Sequence, residues 1–171
     1  MEYMATTLKR VEPASNPALS EIEKKTGPSN FFRTMAHRPE AMQDFARLYG
    51  SLMGPAARLD KRLREMVYLA VSYVNECPYC AEHHQKGSLA AGLSNSELSH
   101  INTENDQGFT DKERVVLRFA RELTRTASVS DDLRYRVQEL LTPDEFVELT
   151  MIVGLANFTN RFNNALAVPL E

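Results

Sequence analysis

Residues 76–84 read ECPYCAEHH and hold both cysteines and two of the four histidines of the chain. On a helix, at ~100° per residue, Cys80 lies ~60° round from Cys77, and His84 lies ~40° beyond Cys80. Cys77 and His84 then differ by only ~20°, so all three share one face, while His83 points ~100° away from His84. Cys80 and His84 form an i, i+4 pair, close enough for an imidazole to take or supply a thiol proton. Pro78 suits the first helical position, which makes Cys77 the N-cap and puts both sulfurs in the first turn. There the free N–H groups and the positive end of the helix dipole favour a thiolate. The stretch therefore reads as a reactive, reversibly oxidisable dithiol.

Glu65 stands twelve residues before Cys77. If the helices on either side of residues 75–76 form an antiparallel hairpin, Glu65 lies ~15 Å back from the turn and His84 ~12 Å forward. The two can be neighbours, and a carboxylate beside an imidazole fixes its tautomer and raises its basicity. Two other readings compete. The cysteines could be two small buried hydrophobes. Alternatively, Cys77, Cys80 and His84 could supply three zinc ligands, with Glu65 or a partner chain as the fourth. With only two cysteines, neither a tetrathiolate zinc site within one chain nor a disulfide framework can form.

Glu65, Cys77, Cys80 and His84 have the spacing E-x11-C-x2-C-x3-H. In this, in CPYCAEHH and in the closing NFTNRFNNAL, the chain resembles the AhpD-like alkylhydroperoxidases of the carboxymuconolactone decarboxylase superfamily. The resemblance covers roughly residues 31–168. It implies an all-α peroxidase unrelated to thioredoxin, without a cofactor or metal. Cys80 would be the peroxidatic thiolate, Cys77 the resolving thiol, and His84 with Glu65 a proton relay that includes a water. The implied partners are a hydroperoxide substrate and an external dithiol reductant of lipoyl or thioredoxin type. The implied assembly is a homotrimer or homohexamer. Spacing alone leaves open which cysteine attacks, since an N-cap Cys77 could be the more exposed. Tyr79 departs from the best-known members, which carry a second histidine there. Two alternatives stay in view: a carboxymuconolactone decarboxylase-like enzyme, which does not need the dithiol, and a non-enzymatic redox sensor.

The elements that must position these residues are helical. Apolar residues recur at helical spacing, and no alternating run of strand length is bounded by hairpin turns. Residues 1–28, broken by Pro13, Pro17 and Pro28, read as an arm with one short helix near 17–25. Residues 29–171 read as a compact AhpD-like helical domain in which an antiparallel helix pair carries the CxxC motif. Ser29 caps a short helix over 29–36, and Pro39 opens one to about Leu52, ended by Gly54-Pro55. The helix over 59–74 carries Leu59, Leu63, Met66, Val67, Ala70, Val71 and Val74 on one buried face. The next runs from Pro78 to about Ala91, and Gly92 ends it. SNSE at 94–97 and TDKE at 110–113 have capping-box spacing. Further helices follow from Thr110 to about Thr126 and over 131–140. Thr142-Pro143-Asp144-Glu145 opens the last, to about Ala167, with Gly154 as a bend. Its apolar surface is broad, as suits a central helix or one covered by another subunit.

Among the remaining candidates, His83 reads as exposed or at a subunit contact, and His37 and His100 as surface residues. Phe31, Phe32, Phe45, Tyr68, Tyr73, Phe158 and Phe162 read as core or interface, some of them available to a hydroperoxide pocket. Arg161, Asn163 and Asn164 read as caps or bridges between subunits rather than catalytic groups. With 171 residues the chain can bury roughly 70% of its unfolded surface in one core. A net charge of −3 with mixed signs gives no basic stripe for nucleic acid. No apolar run reaches the ~18 residues that cross a bilayer. The N-terminal residues lack a signal-peptide pattern, so the cytoplasm is the expected compartment.

Overall fold

The computed structural model describes residues 8–171. Among the described residues there are nine α-helices and no strand. They are α1 (Pro17–Thr26), α2 (Asn30–Met35), α3 (Pro39–Met53), α4 (Lys61–Val74), α5 (Pro78–Ala90), α6 (Asn95–Thr103), α7 (Asp111–Thr126), α8 (Asp131–Leu140) and α9 (Pro143–Ala165). The expected arm carries a 3-10 turn (Pro13–Ser15) and α1; its residues 1–7 lie outside the described part. Within it Leu19 is fully buried, the Glu23 carboxylate pairs with Arg33 at 2.8 Å, and the Val11 N–H donates to the Arg33 carbonyl.

Helix boundaries follow local chemistry. Asn16, Ser29, Asp60, Ser94, Thr110 and Thr142 each accept a hydrogen bond from the N–H three residues on, satisfying a free donor of the first turn. At Ser94, Thr110 and Thr142 the capping box is complete, with Glu97, Glu113 and Glu145 reaching back. Because Asp60 is the cap, α4 begins at Lys61 rather than 59. Leu59 lies buried ahead of it, its N–H donating to Glu148 Oε1 at 2.8 Å. The helix α9 continues through Gly154 as one element.

The helix α4 is the hub, packed against α5, α7 and α9. This corrects the single buried face expected for it. Arg64, Tyr68, Leu69 and Ser72 are buried as well, because neighbours enclose the helix on several sides. Burying Arg64 requires partners for its guanidinium, and Nη1 donates to the carbonyls of Leu52 and Gly54. The helix α9 covers α4 with Leu149, Ile152, Val153 and Ala156 but leaves Val147, Met151 and Phe158 exposed. α4 turns back into α5 through Asn75 and Glu76. Glu76 takes a left-handed conformation (φ 49°), and the Cys77 N–H closes the turn on the Ser72 carbonyl at 3.0 Å.

Candidate active site

The turn delivers Cys77 as the N-cap of α5 with Pro78 in the first helical position, as its sequence dictates. Cys77 Sγ accepts the Cys80 N–H at 3.3 Å, and the two cysteines are joined as a disulfide with Cα atoms 5.4 Å apart. Both are buried, Cys77 at 1% exposure and Cys80 at 4%. One turn further along α5, His84 Nδ1 lies 2.8 Å from Glu65 Oε2 on α4. A carboxylate only accepts, so Nδ1 carries the hydrogen, and in the neutral ring Nε2 is then the nitrogen with the free lone pair. The antiparallel pair thus brings the predicted carboxylate and imidazole into direct contact.

This contact depends on Gly87. A Cβ there would fall 2.5 Å from Glu65 Oε2 and 2.8 Å from its Cδ. Only a glycine lets the Glu65 carboxylate lie against α5. Tyr68, also on α4, stacks on the His84 ring with centroids 3.7 Å apart and planes 18° apart. Its hydroxyl lies 2.6 Å from Thr159 Oγ1 of α9. Thr159 donates its own proton to the Ala156 carbonyl, so Tyr68 is the donor. Burial pushes the Tyr68 phenol well above its ordinary range and raises that of Tyr49 as well, keeping both protonated.

A cavity of about 200 Å³ opens on this group. Phe31, Phe32, Phe45, Tyr49 and Tyr68 form apolar walls, and Cys80, His84, His83 and Asn163 supply polar groups. Cys80 lines the cavity and Cys77 does not. Of the aromatics, Phe162 packs edge-on behind Phe31, Phe158 is exposed, and Tyr73 lies elsewhere, its hydroxyl accepting from Gln85.

His83 differs from expectation. It is half-buried and lines the cavity, stacked on Tyr79 with centroids 4.6 Å apart. Its Nε2 lies 3.3 Å from Glu171 Oε2, and burial holds its pKa below the usual histidine value. The Tyr79 hydroxyl donates to Glu171 Oε1 at 2.6 Å and accepts the Phe31 N–H at 3.2 Å. The segment entering α2 therefore walls the cavity beside both rings, which helical angles within α5 could not foretell. Among the described residues, no three His, Cys, Asp or Glu side chains group to hold a metal ion.

The NFTNRFNNAL stretch of α9 ties down the helix turn. Asn75 Nδ2 donates to Asn157 Oδ1 and Asn160 Oδ1, Asn160 Nδ2 to Ser72 Oγ, and Asn164 Nδ2 to the Asn75 carbonyl. Asn164 is thus a cap of the α4–α5 turn. Asn163 Nδ2 instead meets Cys80 Sγ at 3.2 Å. Sequence reasoning set Asn163 aside, and it missed Thr159 and Gly87. Its available signal was the recurrence of asparagine at 157, 160, 163 and 164 along an otherwise apolar helix.

The carboxymuconolactone decarboxylase family model matches residues 39–122, which include Glu65, Cys77, Cys80 and His84. Over that stretch the chain is similar to the carboxymuconolactone decarboxylase family, and its fold is AhpD-like. Among curated relatives, the uncharacterized protein YnjA of Escherichia coli K12 is 29% identical over 115 residues, 66% of this chain and 63% of that protein. The chain thus spans less than two thirds of that relative. An AhpD-core structure, an uncharacterized peroxidase-related protein from Ralstonia eutropha JMP134, superposes with a TM-score of 0.85 at 21% identity. It covers 98% of this chain and 93% of that one. The apo debrominase Bmp8 gives 0.85 at 19%, covering 98% and 94%. At these identities the likeness is one of fold. The AhpD-like fold thus carries proteins named for decarboxylase, peroxidase and debrominase chemistry.

Proposed function

We propose that this AhpD-like chain is a thiol-dependent peroxidase that reduces hydroperoxides through a Cys77–Cys80 dithiol/disulfide cycle. One observation carries the reading: the redox pair meets an aromatic cavity through Cys80, and His84, held by Glu65, lines the same cavity. In the reduced protein, His84 Nε2 takes the Cys80 thiol proton, directly or through a water. The thiolate attacks the terminal peroxide oxygen. An S–O bond forms and the O–O bond breaks. The leaving alkoxide keeps the electron pair and takes the proton from His84, becoming an alcohol. Cys77, as thiolate, then attacks the sulfenic sulfur of Cys80. The S–S bond forms, and hydroxide leaves as water after protonation. An external dithiol of lipoyl or thioredoxin type returns the disulfide to two thiols by exchange. Lining of the cavity by Cys80 alone favours Cys80 over Cys77 as the attacking sulfur. The burial of both sulfurs means that the reductant must reach them through the cavity. A reducing compartment such as the cytoplasm fits this cycle.

The test is to mix reduced protein with tert-butyl hydroperoxide. Two thiols should be lost per peroxide consumed, with one intramolecular disulfide formed. A Cys80→Ser variant that consumes peroxide as fast as the parent sinks the reading. Activity on a carboxylactone that survives loss of both cysteines would replace it with the decarboxylase-like alternative.

A further inference from the structure

Asn163 is 3% exposed, and its two polar atoms have different fates. Nδ2 lies 3.2 Å from Cys80 Sγ, whereas Oδ1 is buried with no hydrogen-bond partner. Leaving a buried acceptor unmet costs about 1–3 kcal/mol. Its neighbour Asn160 shows what a purely structural asparagine does here. That side chain spends both ends on the α4–α5 region, donating to Ser72 and accepting from Asn75. Asn163 spends one end on the reacting sulfur, keeps the other free, and lines the cavity.

We infer that Asn163 is a catalytic residue. Its Nδ2–H donates to the Cys80 thiolate, and its Oδ1 accepts the O–H of the hydroperoxide that the thiolate attacks. The inference rests on the peroxidase reading for its second half only. A donor aimed at sulfur favours the charged form over the thiol, and a charged acceptor makes the hydrogen bond stronger. An acceptor for the terminal O–H holds the oxygen that the sulfur takes, so the O–O bond points away toward the leaving alkyl group. Protons and electrons move as already described, and the amide neither gains nor loses one. The other titratable groups round the cavity are His83, His84 and Tyr79 of α5, Tyr68 of α4 and Tyr49 of α3, and Thr26 and Ser29 add neutral hydroxyls from the segment before α2. Glu65 stands behind His84, and Glu171 behind His83. From α9 come only neutral groups, Thr159 and Asn163.

The test uses reduced full-length protein carrying Cys77→Ser, so that Cys80 is the only thiol. The rate of alkylation by iodoacetamide against pH gives its titration midpoint without any turnover. Asn163→Ala should move that midpoint up, slowing alkylation near neutral pH about tenfold for each unit moved. Asn163→Asp keeps the shape, loses the donor and adds charge, so it should move the midpoint further. It also keeps the test alive if the alanine variant does not fold. An unchanged midpoint in a variant with native circular dichroism overturns the contact to the thiolate. With tert-butyl hydroperoxide, Asn163→Ala should lose more rate than it loses in alkylation, and equal losses overturn the role of Oδ1. A parent that ignores the peroxide, with a midpoint that still moves, removes the peroxidase reading and leaves the thiolate contact standing.

Discussion

Glu65 and His84 meet at 2.8 Å, and a carboxylate in that position sets which imidazole nitrogen is free. Glu65→Gln keeps the size and removes the charge. It should slow the reaction with hydroperoxide by roughly 10²-fold or more, the scale of positioned acid–base groups, while circular dichroism stays native. A rate equal to the parent's at every pH would take Glu65 out of the relay. His83 carries a second prediction. Burial depresses its pKa, with Glu171 opposing too weakly to offset it. The unfolded chain binds that proton near pH ~6.5, before the folded protein does. Stability from the neutral ring is therefore present above that value and is lost as pH falls below it toward the folded pKa. Denaturation midpoints measured from about pH 7 down to about pH 5.5 should fall, and more shallowly in His83→Gln.

Between elements, the close approach of α4 and α5 turns on Gly87. Gly87→Ala places a Cβ within 2.5 Å of the Glu65 carboxylate and must push it off His84. The expected cost is about 1–3 kcal/mol of stability, with a loss of rate like that of Glu65→Gln. In a Glu65→Ala background the clash is gone, and the same substitution should be neutral or gain up to ~1 kcal/mol from helix propensity. Denaturant unfolding of the four proteins as a double-mutant cycle measures this. Equal costs in both backgrounds would mean that Gly87 serves something other than Glu65. The α4–α5 pairing itself was legible in sequence: Asn75-Glu76 broke the helix, Cys77-Pro78 restarted it, and the offsets to Glu65 and His84 matched. Gly87 was not, because a mid-helix glycine carries no mark of what lies opposite.

For the molecule as a whole, α1 belongs to the main core through Leu19, which is fully buried. Leu19→Ala should cost about 2–5 kcal/mol in one cooperative unfolding transition. A separate early transition for the N-terminal segment would show that the arm is energetically independent. The face of α9 bearing Val147, Met151 and Phe158 stays exposed beside Leu48 of α3. Such a strip suits an interface between copies of this chain, and the homotrimer or homohexamer is what the resemblance implies. Sedimentation should give that assembly for the parent, and Met151→Glu should yield monomer with native helix content. A parent that sediments as monomer at high concentration would remove the proposal.

What the sequence determined by itself was local. Caps, prolines and capping boxes fix where helices begin, because a free N–H is satisfied within three or four residues. Helical period fixes which side chains share a face, so Cys77, Cys80, His84 and Glu65 were readable as one register. The tertiary structure decided what surrounds that register. Asn163 reaches Cys80 across 83 residues of chain, Thr159 reaches Tyr68 across 91, and the wall near Tyr79 comes from the start of α2. Contacts between distant segments depend on how whole helices pack against α4, and no short-range pattern encodes that packing. Hence the cysteine pair and the Glu65–His84 contact could be read in advance, while the cavity, the side of it taken by His83 and the amide on the sulfur could not.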